Sequence, residues 1–172
     1  MIYPNAHVDY LMYENGVTLI GVGKVKMPPI KYKTIPATGA GLMGDVTIPL
    51  AGMIEPLVVS IDFTSVTDAI VNLATNQWHD VAVYVANQYF RTEARIEEME
   101  STRFEMSIRP IEINHGTIAT ASSADASGTF SVCRYAVFKN NNKVVDIDQF
   151  NQIHVVNGVD CAAAVREAIG MM

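Results

Sequence analysis

Apolar and polar positions alternate with a period of two along most of this chain, the pattern of strands with two different faces. Phe104, Met106 and Ile108 alternate with Arg103, Glu105, Ser107 and Arg109, which predicts a strand with one wet face. Val145 and Ile147 alternate with Asp146 and Asp148 in the same way. Val81, Val83 and Val85 alternate with Ala82, Tyr84 and Ala86, so that strand is apolar on both sides. Residues 57–63 and 130–138 read as further strands, the second a central one. Residues 10–13 form a short strand that Glu14-Asn15-Gly16 turns into residues 17–25, because Asn-Gly between apolar runs tolerates the positive φ of a tight hairpin. Met27-Pro28-Pro29 ends that strand, since proline cannot donate to a ladder. Residues 46–50 read as a strand broken at Pro49, and Asn140-Asn141-Asn142 and Asn157-Gly158 as turns.

One segment has the longer period. Val66, Ile70 and Leu73 share a stripe with Ala69 and Ala74, which predicts an amphipathic helix over 65–76, with Thr64 or Ser65 as its cap and Asp68 three residues on. Residues 30–44, with Pro36, Gly39, Gly41 and Gly44, show little period and predict a long extended loop; such loops usually have a job. Residues 117–128 predict a second. Seven or eight strands and one helix describe a mainly β fold, a β-sandwich or small barrel with one flanking helix and long loops, as a single domain over 1–172.

Composition narrows the function classes. The 172 residues suffice for one domain with a core, and 49% are hydrophobic. A net charge of −6 argues against a general nucleic-acid binder, even though Lys24, Lys26, Lys31 and Lys33 cluster. Two cysteines are too few for a disulfide scaffold, and Cys133 reads as a buried thiol. The first residues lack a secretory pattern, and no apolar run approaches the roughly 20 residues that span a bilayer, so the expectation is a chain made soluble, with no stable membrane insertion by the monomer.

Gly39-Ala40-Gly41-Leu42-Met43-Gly44 matches the dinucleotide fingerprint letter by letter but not in context. That motif needs a strand before it and a helix after it, whereas Val46, Thr47, Pro49, Gly52 and Pro56 forbid a helix there. His7, His79, His115 and His154 are scattered, with no metal-ligand spacing. Neither Cys133 nor Cys161 has a local positive charge to activate it, and no G-x-S-x-G elbow occurs. No catalytic residue, cofactor site or metal site is expected, and no enzyme.

What remains is an assembly problem: wet acidic strands, Gly-containing loops, and a C-terminal arm over 157–172 that opens with Asn157, Gly158, Val159 and Asp160. Strand edges and loops of this kind join copies of a chain. The glycine loop at 39–44, the strand at 131–138, and the run V-D-I-D followed by N-x-I-x-x-V-N-G-V-D over 145–160 together resemble the major tail tube protein of contractile-tail phages and R-type bacteriocins. Tail tube proteins carry a G-A-G-M-x-G-like loop at this place, which folds between neighbouring rings.

The resemblance implies homo-hexameric rings stacked helically into a hollow tube inside a contractile sheath, with strands of neighbouring subunits joined around the lumen. It implies the sheath, tape-measure and baseplate proteins as partners and DNA passing through without specific binding. It also implies a place in the virion tail, or a phage-tail-like particle, assembled in the host bacterial cytoplasm. Gly39 to Gly44 are then expected at ring-to-ring contacts, with Asn157 to Asp160 also between subunits, and Asp146 and Asp148 on or near the lumen. The other class open to the sequence is a monomeric β-barrel holding a small apolar ligand.

Overall fold

A computed structural model describes residues 2–171 except Val22, Ala40, Leu42, Ala94, Ser123 and Ala124, with residues 2–5 described as backbone only. Of the glycine loop, Ala40 and Leu42 therefore lie outside the described residues.

The chain folds as strands β1 (Ile2–Glu14), β2 (Thr18–Ile20), β3 (Lys24–Lys26), β4 (Tyr32–Ala37), β5 (Val46–Ile54) and β6 (Leu57–Asp62), then helix α1 (Asp68–Leu73). β7 (His79–Arg91), β8 (Ile96–Asn114), β9 (Ser127–Lys139), β10 (Asn142–Asp148), β11 (Ile153–Val156) and β12 (Val159–Asp160) follow, and helix α2 (Ala163–Ala168) closes the sequence. Ten strands form one sheet in the order β12-β11-β10-β9-β8-β7-β1-β2, with β6 added to β9 and β3 added to β6. Every ladder is antiparallel.

β9 is the central strand the alternation predicts. Its first half pairs with β6 and its second half with β10 on the same side, while β8 runs along the other. The sheet thereby curls over a single core. Met12, Ile20, Val59, Ile61, Val83, Ile108, Phe130 and Val132 are all almost completely buried, and Ile70 and Leu73 of α1 close one end. Phe130 fills the middle of this core because Gly128 leaves it room: a Cβ there would lie 2.6 Å from the Phe130 ring.

Several expectations change. β1 runs for 13 residues, not four, because β7 supplies a partner along its length. The predicted strand at 17–25 splits into β2, on β1, and β3, on β6, with Gly21 and Gly23 between them. The helix covers 68–73 and not 65–76. Thr67 is its N-cap and makes no side-chain hydrogen bond, so neither Thr64 nor Ser65 caps it. Among the described residues, twelve strands replace seven or eight, and two short helices replace one, since Ala163–Ala168 is helical.

The long loop at 30–44 contains a strand. Its residues 32–37 pair with β5 to form a separate two-stranded sheet, and β5 runs through Pro49. Proline is tolerated there because, among the described residues of the subunit, neither strand has a second neighbour to which it must donate.

Candidate assembly surfaces

The β4–β5 hairpin is an arm. It pairs with no strand of the main sheet, and nearly all of β4 is exposed. Its apolar side chains Ile35, Val46, Ile48 and Met53 lie in the open, and Lys33 is the one charged residue of its two strands. Gly39, Gly41, Met43 and Gly44 are the described residues of the motif at its tip, where Gly41 and Gly44 take positive φ. A strand, β5, follows the glycine motif, which is the context that rules out a pyrophosphate site.

The arm is held only at its base. Gly52, at φ 67°, lies against the C-terminal segment so closely that a Cβ would sit 3.0 Å from Ala162 Cα and 3.1 Å from the Cys161 carbonyl oxygen. The Tyr32 ring stacks on the His154 imidazole at 5.5 Å. Arg166 of α2 pairs with Asp160 and donates to the Gln152 carbonyl at 2.8 Å, which seats the helix against the β10–β11 turn. The Arg166 hydrogen bond is the main reason that the Asp160 carboxyl is held below the usual carboxylate range. A cavity of about 380 Å³ remains between arm and C-terminal segment, lined by Ile54, Ile147, Val165 and Ile169. His154 also lines it, 2% exposed, with Nδ1 lacking a hydrogen-bond partner. The predicted C-terminal arm is thus largely docked. Asn157 and Gly158 make its turn, Val159 pairs with Val156, and Asp160 anchors α2.

Asp146 and Asp148 share the outward face of β10, opposite Val145 and the buried Ile147. Register places Asp146 beside Ala136 and Glu105, and Asp148 beside Arg134, Ser107 and Asp80. The two carboxylates do different work. Asp146 accepts from Lys143 Nζ at 3.0 Å. Asp148 accepts from the Phe150 and Asn151 amides at 3.1 Å and from Asn151 Nδ2 at 2.7 Å, so it builds the β10–β11 turn. On the same face the Arg103 guanidinium lies 4.2 Å from the centre of the Phe138 ring.

Sequence reasoning missed Gly52, Tyr32, His154 and Arg166. The Ala162-Ala163-Ala164 run carried helix propensity that could have signalled α2, but nothing local connects Gly52 with Ala162. Cys133 sits in β9, half-buried as a thiol that burial pushes above its ordinary pKa, and Cys161 is likewise free. Among the described residues there is no cluster of three or more His, Cys, Asp or Glu side chains placed to hold a metal, and no helix long and apolar enough to cross a membrane.

Residues 8–170 match the family model described as phage tail tube protein FII. The fold is also similar to chains of three solved contractile assemblies. One is from the PVC sheath–tube complex of an extracellular contractile injection system in its extended state, with a TM-score of 0.56 at 16% identity over 79% of this chain and 92% of that one. A chain of the PVC sheath/tube terminator aligns at 0.55 and 14% identity, over 79% and 97%. A chain of the anti-feeding prophage tube-terminating cap aligns at 0.55 and 16% identity, over 79% and 91%. No curated protein matches the sequence.

Proposed function

The chain belongs to the phage tail tube protein FII family, and from that membership we propose that copies of it form hexameric rings that stack into the hollow inner tube of a contractile tail. Its role in the tail tube is structural, and the family sets aside the reading as a monomeric ligand-binding barrel. The observation that carries the assembly is the arm, a two-stranded sheet that no strand of its own subunit covers. An isolated hairpin is at best marginally stable in water, so a partner must complete it.

In this reading Gly39 to Gly44, at the arm's tip, make contacts between stacked rings. The open edge of β12 is where a neighbour in a ring adds its strand, and Asn157 to Asp160 lie at such a contact. The face that bears Asp146 and Asp148 lines or borders the lumen. It also carries Asp80 and Glu105 against Arg103, Arg134 and Lys143, a near-balance of charge that gives phosphate no continuous basic track. DNA then slides without specific binding, whereas a phosphate-binding wall would retain it at each step.

The tail sheath, tape-measure and baseplate proteins are the remaining partners, in keeping with the sheath–tube and tube-cap assemblies to which the fold is similar. Assembly takes place in the host bacterial cytoplasm, and the tube serves DNA ejection in a phage or envelope perforation in a tailocin. Negative-stain microscopy of the purified full chain tests the proposal: tubes or rings of uniform bore are expected, and a chain that stays single and compact at every concentration, with or without a tail baseplate to seed it, overturns it.

A further inference from the structure

Besides its β12 edge, the main sheet is open between β1 and β3. β2 leaves the hairpin turn paired with β1, but only Met12, Tyr13 and Glu14 take part, and β3, further along the chain, pairs with β6 instead. Among the described residues, the upper edge of β1, residues 2–11, is left with β7 on one side and no strand on the other, and β3 has no strand on the side away from β6. Between these two edges lies a groove of about 690 Å³, its apolar floor made by Val83, Val85 and Phe104 and its rim by Tyr10, Lys24 and Lys26. The Tyr10 hydroxyl is buried without a hydrogen-bond partner.

Strand polarity restricts what can fill such a gap. Stepping from β1 through β7, β8, β9 and β6 to β3 crosses five antiparallel ladders, so β1 and β3 point in opposite directions. A single added strand would have to lie parallel to one of its two neighbours, in a sheet that has no parallel pair. Two antiparallel strands added together keep the alternation throughout. The β4–β5 arm is such a pair; both of its outer edges lack a strand among the described residues, its side chains are mostly apolar, with Lys33, Thr34 and Thr47 the exceptions, and only its base is covered in its own subunit. Pro36 and Pro49 are the two positions that cannot donate to an added strand. The groove rim carries Lys24 and Lys26, with Asp62 opposite Lys24 in the β3–β6 ladder, while the arm carries Asp45 at its tip and Lys33 on β4.

We infer that the groove between β1 and β3 is the receptor for the β4–β5 arm of a second copy, which enters as a hairpin and completes the antiparallel sheet. The inference rests on the reading of the arm as the element that joins copies, and adds where it goes. The contact is heterologous, with donor and receptor on different surfaces of one chain, so it propagates from copy to copy instead of closing a pair.

The test uses full-length chains in which Cys133 and Cys161 are replaced by serine. One carries Ile48→Cys on the arm and the other His7→Cys in the groove; they are mixed, assembled and oxidised. A disulfide-linked dimer containing one of each, absent when His7→Cys is replaced by Glu112→Cys on β8, is the expected result. Lys24→Glu with Lys26→Glu, which leaves the core untouched, should lower the yield of tubes at least tenfold while the monomer's melting temperature stays within a few degrees. If deleting residues 38–45 abolishes assembly but no arm-to-groove disulfide forms, the groove is the wrong receptor and the arm's role stands. If the deleted chain still assembles into long tubes, the arm's role falls and the inference with it.

Discussion

The buried pair between β1 and β7 gives a quantitative test of how the end of the barrel near α1 is held. Glu14 Oε1 lies 2.6 Å from His79 Nδ1, with the two side chains 9% and 10% exposed. On the other side of the ring, His79 Nε2 is 3.1 Å from Thr75 Oγ1 and 3.3 Å from the Thr75 carbonyl. Thr75 Oγ1 spends its own proton on the Asn72 carbonyl at 2.7 Å, so it can only accept from the ring. Both imidazole nitrogens therefore face acceptors, and the ring is held from two sides. The pair ties the last turn beyond α1 to the end of β1.

His79→Ala leaves the carboxylate buried and unpaired, which costs about 3–5 kcal/mol. Unfolding entropy near 2.1 cal/mol/K per residue gives about 0.36 kcal/mol/K for a chain of this size, so the melting temperature should fall by about 8–14 °C. Glu14→Met with His79→Leu removes both polar groups and keeps volume, and should recover at least half of that loss, since replacing a buried pair with apolar groups is close to neutral. Calorimetry or urea titration of the unassembled chain, with both single variants and the double, measures each term. A double variant that loses the sum of the singles, or a His79→Ala variant within about 1 kcal/mol of the parent, would falsify the account of a mutually compensated pair.

Three further outcomes concern the assembly surfaces. Gly52→Ala meets both a positive φ, worth about 1–2 kcal/mol against a residue with a Cβ, and the 3.0 Å approach to Ala162. Because the arm can lift away to relieve it, the variant should melt within a few degrees of the parent yet form far fewer tubes by electron microscopy; unimpaired tubes would mean that the arm's seat on α2 does not matter. Asp160 has its folded pKa depressed, so its contribution is present above the ordinary aspartate range and is lost as pH falls through the lower folded value. Protection from hydrogen exchange in 160–170, taken relative to the intrinsic rate at each pH, should therefore fall on acidification through that window in the parent, while Arg166→Gln shows lower protection already at neutral pH; equal protection in the two proteins at neutral pH would count against the anchor. For the lumen, Asp146→Lys is the clean charge reversal, because Asp148 also builds a turn. Particles with this change should assemble and release DNA more slowly at low salt, and ejection at the parental rate would remove Asp146 from the channel wall.

The period-two pattern determined the strands themselves, because a face that packs on a core and a face that meets water must alternate along each one. Residues 104–108, 130–138 and 145–148 therefore read correctly without coordinates, as did the turns at Asn15-Gly16 and Asn157-Gly158, where local positive φ selects the residue. The glycine motif at 39–44 and the run at 145–160 were enough to point to the tail tube family. Where pairing is non-local the sequence was silent. The same-looking run at 17–25 divides between two partners, and the apparent loop at 30–44 becomes half of a hairpin because β5, beyond the tip, offers it hydrogen bonds. The seat of the arm depends on Gly52 meeting Ala162 and Tyr32 meeting His154, over a hundred residues away in both cases. Backbone hydrogen-bond partners and close approaches of that kind are chosen by the folded sheet as a whole, and no window of neighbouring residues contains them.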